Sequence, residues 1–165
     1  MRHSVGRMNQ FGRLRTAAAM PRVDGHEIRA LLEEFGSPLW ILSEETLRRQ
    51  YRKLRQAFEL RYPRVNIAYS YKTNYLAAVC SVLHQEGAWA EVVSGMEYEL
   101  ARANGVEGSR IVFNGPLKTR DELRRAFAEG ARVNLDCFEE IQLAEELGRE
   151  RGAPVSVGLR VNVRL

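Results

Sequence analysis

From residue 37 onward the apolar positions alternate between two rhythms, short runs with a period of two and longer stretches spaced three or four apart. Ser37-Pro-Leu-Trp-Ile-Leu42 reads as a short extended segment. Ser43-Glu-Glu-Thr46 then opens a helix, with a capping serine and two acids where the helix dipole favours them. Leu47, Tyr51, Leu54 and Phe58 keep one helical stripe until Pro63 stops it. The pairing of strand and helix then recurs: strand 65–71 and helix 75–86, strand 90–93 and helix 96–104, strand 111–113 and helix 119–129. A fourth strand over 133–136 leads into a helix from Phe138 to about residue 149, and 155–161 makes the fifth strand. Gly87, Gly105, Gly130 and Gly152 stand where these helices should end.

Strands alternating with helices at a spacing of about 20 to 25 residues predict βαβ units and a parallel sheet, hence an α/β fold. Five strands suffice for a small open doubly wound sheet, whereas a complete (β/α)8 barrel needs about 200 residues or more. Strand polarity favours the barrel. Strands buried on both faces read as continuous apolar runs, yet Asn134 and Asp136 alternate with Val133 and Leu135. Ser156, Gly158, Arg160 and Asn162 likewise alternate with Val155, Val157, Leu159 and Val161. One face of this sheet is therefore expected to be polar, as the lining of a ligand-holding barrel would be.

The chemistry concentrates in Ile67-Ala-Tyr-Ser-Tyr-Lys-Thr-Asn74. On a regular strand Ala68, Ser70 and Lys72 share one face, and Ile67, Tyr69 and Tyr71 cover the other. The small face leaves room for a ligand, and the lysine falls at the carboxyl end of the strand, where parallel α/β folds place their active groups. A desolvated lysine there has its pKa drawn down and can attack a carbonyl. Read alone, Lys72 could equally be a solvated lysine at a strand end.

Composition narrows the partners. The 165 residues carry a formal net charge of +4. Arg2, Arg7, Arg13, Arg15 and Arg22 lie ahead of the first acid, Asp24, so residues 1–24 hold the whole excess. Residues 1–24 thus read as a basic, disordered tail, or as the product of a start codon placed too early with Met8 and Met20 as other starts, and residues 25–165 as an electrically neutral body. Nucleic acid is not an expected partner. No apolar run reaches the roughly 18 residues of a membrane span, and no secretory leader is recognisable, so the expectation is a soluble, cytoplasmic protein. Cys80 and Cys137 form no CxxC pair, and His3, His26 and His84 share no metal-ligand spacing.

Tyr-Ser-Tyr-Lys72-Thr-Asn74, Glu91-Val-Val-Ser-Gly-Met-Glu97, Val112-Phe-Asn-Gly-Pro-Leu-Lys-Thr119 and Gly158-Leu-Arg-Val-Asn162 fall at successive strand ends. In that order, from about Ser37 to the last residue, the chain resembles the PLP-dependent decarboxylases of the diaminopimelate, ornithine and arginine type. The resemblance implies an alanine-racemase-like barrel of which about the first five strands are present, followed in the family by a β domain. It implies pyridoxal 5'-phosphate as cofactor, held as a Schiff base through Lys72, with Glu91 and Arg160 near it; Ser70, on the small face of the lysine strand, and Asp136, on the polar face, are the further candidates for binding it. It further implies a small amino-acid substrate and a homodimer whose sites are completed by the partner chain. The family's later histidine, glycine-rich phosphate loop, Glu-Pro-Gly-Arg segment and C-terminal cysteine and aspartate have no counterpart here. The chain therefore looks like the N-terminal part of a longer enzyme and by itself inactive. It departs from the family pattern at Thr73, where alanine is usual, at Met96 in place of a second glycine, and at Glu91 in place of aspartate. An amino-acid racemase of the same barrel type, or a PLP-binding protein without turnover, are the alternatives the resemblance leaves open.

Several of these residues also have purely structural readings. Ser94 with Glu97 and Thr119 with Glu122 each make a capping box. Asn114-Gly115 reads as a turn, and Asp136 as either a cap for the helix at Phe138 or a cavity residue. A guanidinium at Arg160 facing a barrel interior requires an anion, which a ligand or Asp136 could supply.

Overall fold

The computed structural model describes residues 20–161. The described residues divide into two compact units, residues 20–45 and 46–161.

In the first unit β1 (Arg22–Val23) pairs antiparallel with β2 (His26–Glu27). Asp24 and Gly25 between them have φ of 47° and 83°. Left-handed angles at both central residues define the tight hairpin turn for which Asp-Gly is the favoured dipeptide. Residues 22–24, expected in the basic tail, therefore form part of a hairpin, and residues 1–19 of that tail lie outside the described residues. Helix α1 (Ile28–Phe35) follows and ends at Gly36, whose N–H donates to the Leu32 carbonyl at 2.9 Å. The Asp24 carboxylate accepts from the Ser43 hydroxyl at 2.5 Å and from the Glu45 amide at 3.1 Å. These bonds, that from Ser43 foremost, lower its pKa. Residues 37–42, read from sequence as an extended segment, join no sheet among the described residues, and Trp40 there is 94% exposed.

Helix α2 (Glu44–Glu59) leads into the second unit, which holds a five-stranded parallel sheet. Its strands are β3 (Ala68–Ser70), β4 (Trp89–Val92), β5 (Ile111–Phe113), β6 (Arg132–Leu135) and β7 (Val157–Leu159). Between them run α3 (Ala77–Gln85), α4 (Gly95–Ala103), α5 (Arg120–Ala128) and α6 (Phe138–Arg151). The boundaries lie within about two residues of the sequence-based ones, save that β3 begins three residues later; β3 and β7 are both shorter at each end. The four glycines expected to end helices all have positive φ.

The spatial order of the strands is their order along the chain, β3-β4-β5-β6-β7. A doubly wound sheet must reverse direction at a switch point, and this one does not, so the doubly wound alternative is excluded and the arrangement is that of a barrel wall. Helices cover one face only. Ala90, Val92, Ile111, Phe113, Val133 and Leu135 point to that face and pack on Tyr98, Ala101, Leu123, Phe127, Ala144 and Leu147. The intervening residues Ser70, Glu91, Val112, Asn134 and Gly158 are left on the opposite face, and there the polar lining expected from strand alternation is found.

Candidate functional site

The open face carries a row of hydrogen-bonded side chains that runs across the strand ends. Asn114 Nδ2 donates to Glu91 Oε1 at 2.8 Å, and Asn134 Nδ2 donates to Asn114 Oδ1 at 2.6 Å. Asn134 stands opposite Gly158 in the ladder, and a Cβ on Gly158 would overlap Asn134 Oδ1. Glycine at 158 thus makes room for the amide beside it. Asn114 does more than form a turn: it joins the carboxylate of β4 to the amide of β6. Lower on the same face the Arg132 guanidinium lies 4.3 Å from the centre of the Trp89 ring.

Two oxygens on this face are buried without a hydrogen-bond partner, Ser70 Oγ and Asp136 Oδ1. Asp136 does not cap α6. Cys137 holds that position without a side-chain bond, and the Asp136 amide instead donates to Glu140 Oε2 at 2.9 Å. Arg160 Nε lies 3.4 Å from Asp136 Oδ1, a charge contact too poorly aligned to be a hydrogen bond. The Arg160 side chain is 66% exposed, so the strong desolvation expected of a barrel interior is not present there. Unpartnered buried acceptors are costly unless a ligand supplies donors, so Ser70 and Asp136 fit a polar ligand on this face.

Lys72 is placed differently from the sequence expectation. Strand β3 stops at Ser70, and Tyr71–Thr73 form a single 3-10 turn, so Lys72 is exposed one turn beyond the strand instead of sharing its pleat with Ala68 and Ser70. Buried aromatic residues fix that turn. Tyr71 is fully buried, Tyr69 donates its hydroxyl to the Asn74 carbonyl at 3.1 Å, and Asn74 Oδ1 accepts from the Leu76 amide at 3.0 Å. The Tyr71 hydroxyl lies 2.8 Å from His84 Nε2 and accepts from Asn104 Nδ2 at 3.3 Å. His84 Nδ1 faces the Ala88 carbonyl at 2.9 Å. A carbonyl can only accept, so Nδ1 carries the proton and Nε2 receives the Tyr71 hydroxyl.

Burial pushes the His84 pKa below its ordinary 6.5. The unfolded chain therefore takes up this proton first, and the stability contributed by neutral His84 is complete above about 6.5 and lost as pH falls toward the lower folded value. Thermal unfolding is expected to show a declining midpoint below pH 6.5 in the parent chain and a flatter profile in His84→Gln. Glu86, whose carboxyl is brought to about 2 by hydrogen bonds from Arg52 and Arg48, adds its own decline only below the ordinary 4.5, a separable window.

The loop after β5 contains a buried ion pair that sequence inspection does not reveal. Lys118 and Glu140 side chains are 0% and 2% exposed, with Nζ 2.9 Å from Oε2. The same carboxylate accepts the Lys118 amide at 2.8 Å, and Lys118 Nζ reaches the Gly115 carbonyl at 2.9 Å. Glu140 thereby ties the Asn114 loop and Asp136 to one helix. A loop lysine is ordinarily solvated, which is why spacing alone gives no signal for this pair. The two capping boxes also differ. Thr119 and Glu122 form both reciprocal bonds, whereas Glu97, buried, accepts from the Val93 amide at 2.8 Å, one residue earlier than a box requires.

A one-sided parallel sheet wound in sequence order, with a lysine turn and polar side chains at its carboxyl edge, defines the wall of a ligand-binding (β/α) barrel. Residues 44–165 match the family model described as pyridoxal-dependent decarboxylase, pyridoxal binding domain, and the chain belongs to that family. Among curated relatives, the diaminopimelate decarboxylase of Methanocaldococcus jannaschii is 34% identical over 145 residues, 85% of this chain and 33% of that protein. The Bacillus subtilis diaminopimelate decarboxylase is 32% identical over 160 residues, 96% of this chain and 35% of that protein. The chain thus spans about a third of the length of these relatives. Among solved structures, M. jannaschii diaminopimelate decarboxylase in complex with L-lysine superposes with a TM-score of 0.74 at 33% identity, covering 84% of this chain and 33% of that one. The lysine/ornithine decarboxylase of Vibrio vulnificus complexed with putrescine gives a TM-score of 0.67 at 29% identity, covering 81% and 35%. Pyridoxal phosphate is the cofactor of this family's binding domain. Among the described residues no helix is long and apolar enough to cross a membrane, and no group of side chains is arranged to hold a metal.

Proposed function

We propose that this chain supplies the lysine-bearing part of the active site of a PLP-dependent amino-acid decarboxylase, with diaminopimelate as the leading substrate. The observation that carries the reading is the coincidence of the family match with two buried oxygens that lack a hydrogen-bond partner on the polar face, Ser70 Oγ just before the Lys72 turn and Asp136 Oδ1 at the end of β6. When bound, the cofactor supplies an electron sink for the pair left by a departing carboxylate. The protein's own residues hold and orient it. Lys72 offers the amine that attaches it, in a turn fixed from beneath by Tyr71 and Tyr69. Ser70 and Asp136 lie on the polar face as hydrogen-bonding partners. Glu91, held by Asn114, provides a negative charge on that face, and Arg160 a positive one paired with Asp136. The small amino-acid substrate, a cytoplasmic location and a homodimer that completes each site are part of the same proposal.

The test is made on the native protein. Borohydride reduction after exposure to PLP, followed by peptide mapping, is expected to place a pyridoxyl mass on Lys72 and to leave Lys72→Ala unlabelled. Carbon dioxide release is expected from diaminopimelate in preference to lysine, ornithine or arginine, and the isolated 165-residue chain is expected to show none above the rate of free PLP. Label on a different lysine, or inversion of the substrate without carbon dioxide, overturns the reading.

A further inference from the structure

At the end of the sheet opposite the Lys72 turn, where β3, β4 and β5 begin, lies a small polar cleft of about 180 Å³. Tyr51, Arg55, Asn66, Gly87, Trp89 and Arg110 line it. The two guanidiniums converge on a single peptide turn. Arg110 Nη2 donates to the Gly87 carbonyl at 3.0 Å, and Arg55 Nη1 reaches the Glu86 carbonyl at 3.5 Å. A Cβ on Gly87 would sit 3.2 Å from Arg55 Nη1 and 3.9 Å from the Tyr51 hydroxyl, so these two donors face the glycine whose carbonyl Arg110 holds. Both guanidiniums act electrostatically on the Tyr51 hydroxyl, although burial is the larger influence and raises its pKa.

Carboxylates neutralise only part of the positive charge. Glu86 is engaged by Arg48 at 2.9 Å and by Arg52 at 2.6 Å, and Glu59 by Arg55 at 2.7 Å. Arg110 is partly buried and forms no ion pair among the described residues. Of the two guanidiniums that line the cleft, Arg55 has a carboxylate partner and Arg110 has none among the described residues. Two like charges brought to one glycine repel one another, and the arrangement is relieved by an anion seated between them. The size fixes the class of anion. Clefts for drug-sized ligands run to roughly 300 Å³ and more, so this one suits a single tetrahedral oxyanion and excludes a nucleotide or a cofactor.

We propose that Arg55 and Arg110, with the Tyr51 hydroxyl, form a binding site for one phosphate group at the amino-terminal end of the sheet, separate from the cofactor site. Guanidinium forks match the oxygens of phosphate, and partial burial of Arg110 limits screening by salt on its side of the cleft, whereas Arg55 is exposed. Nothing in this inference depends on the decarboxylase reading.

Trp89 lines the cleft and reports on it. The chain has two tryptophans, so Trp40→Phe leaves Trp89 as the only emitter. In the 165-residue chain carrying that substitution, inorganic phosphate is titrated against chloride at constant ionic strength, with fluorescence and thermal midpoint as readouts. A saturable, phosphate-specific change in Trp89 emission with a raised midpoint is expected. Arg110→Gln is expected to weaken it about tenfold or more, Arg110→Lys less, with far-UV circular dichroism unchanged. Should Arg110→Gln fail to fold, Arg55→Gln carries the same expectation. Methyl phosphate distinguishes the sources: binding of both ions identifies a monoester site, and binding of phosphate alone a site for the free ion. An equal response to chloride, or a phosphate response retained in the arginine variants, overturns the proposal.

Discussion

Glu140→Leu is expected to cost the folded chain about 3 to 5 kcal/mol, the range for stranding one partner of a buried ion pair. The Lys118 ammonium would remain at 0% exposure with only the Gly115 carbonyl as acceptor, and the amides of Lys118 and Asp136 would lose theirs. Lys118→Met should cost less, because Glu140 would still accept both amides. The double variant should recover part of the loss by removing the unpaired charge, and fall short of the parent because the two amides stay unsatisfied. Urea unfolding of the four chains gives the coupling directly. A Glu140→Leu loss below about 1 kcal/mol would mean that the loop relaxes to hydrate Lys118.

The second large effect is expected at Gly115. Its φ is +103°, and a Cβ there would overlap the Val93 carbonyl oxygen and approach the Val93 carbonyl carbon to 2.9 Å. The obstacle is backbone, and it cannot retreat freely, because the neighbouring Asn114 amide is bonded to the Val92 carbonyl at 2.8 Å. Gly115→Ala combines left-handed strain with overpacking and should cost about 3 kcal/mol or more. Gly158→Ala provides the contrast, since the atoms it meets first belong to the Asn134 side chain, which can rotate. Its cost should be smaller in unfolding but visible in the amide row. Equal losses at the two positions would argue that Asn134 is held as rigidly as backbone.

The sheet was legible because each strand and each helix obeys its own period, and because Gly87, Gly105, Gly130 and Gly152 mark the helix ends with left-handed backbone. The polarity of β6 and β7 was enough to separate a one-sided barrel wall from a two-sided sheet. The hairpin at Asp24-Gly25 carried a recognised turn signal, yet its strands are two residues each and sit among arginines, so composition hid it. Helix α1 has apolar residues at Ile28, Leu31, Leu32 and Phe35, a helical stripe that stands ahead of the regular strand–helix alternation. The position of Lys72 was misjudged by one turn, because the switch from strand to 3-10 geometry at Tyr71 depends on burying that ring against His84 and Asn104, which are distant in sequence. The Lys118–Glu140 pair and the Asn114–Asn134 contact also join distant positions, and no local period can announce them.

The row from Glu91 to Asn134 has a direction. A carboxylate accepts and cannot donate, so Asn114 must present its amino group to Glu91, and its oxygen is thereby turned toward Asn134. Asn134 must then give its amino group to Asn114 and leave its own oxygen against Gly158. One charge on β4 thus decides which atom is offered two strands away, something neither amide could settle alone, since each is nearly symmetric to rotation. Glutamine at 91 would keep every contact and remove that reference, leaving two opposite orientations of the row free to interconvert.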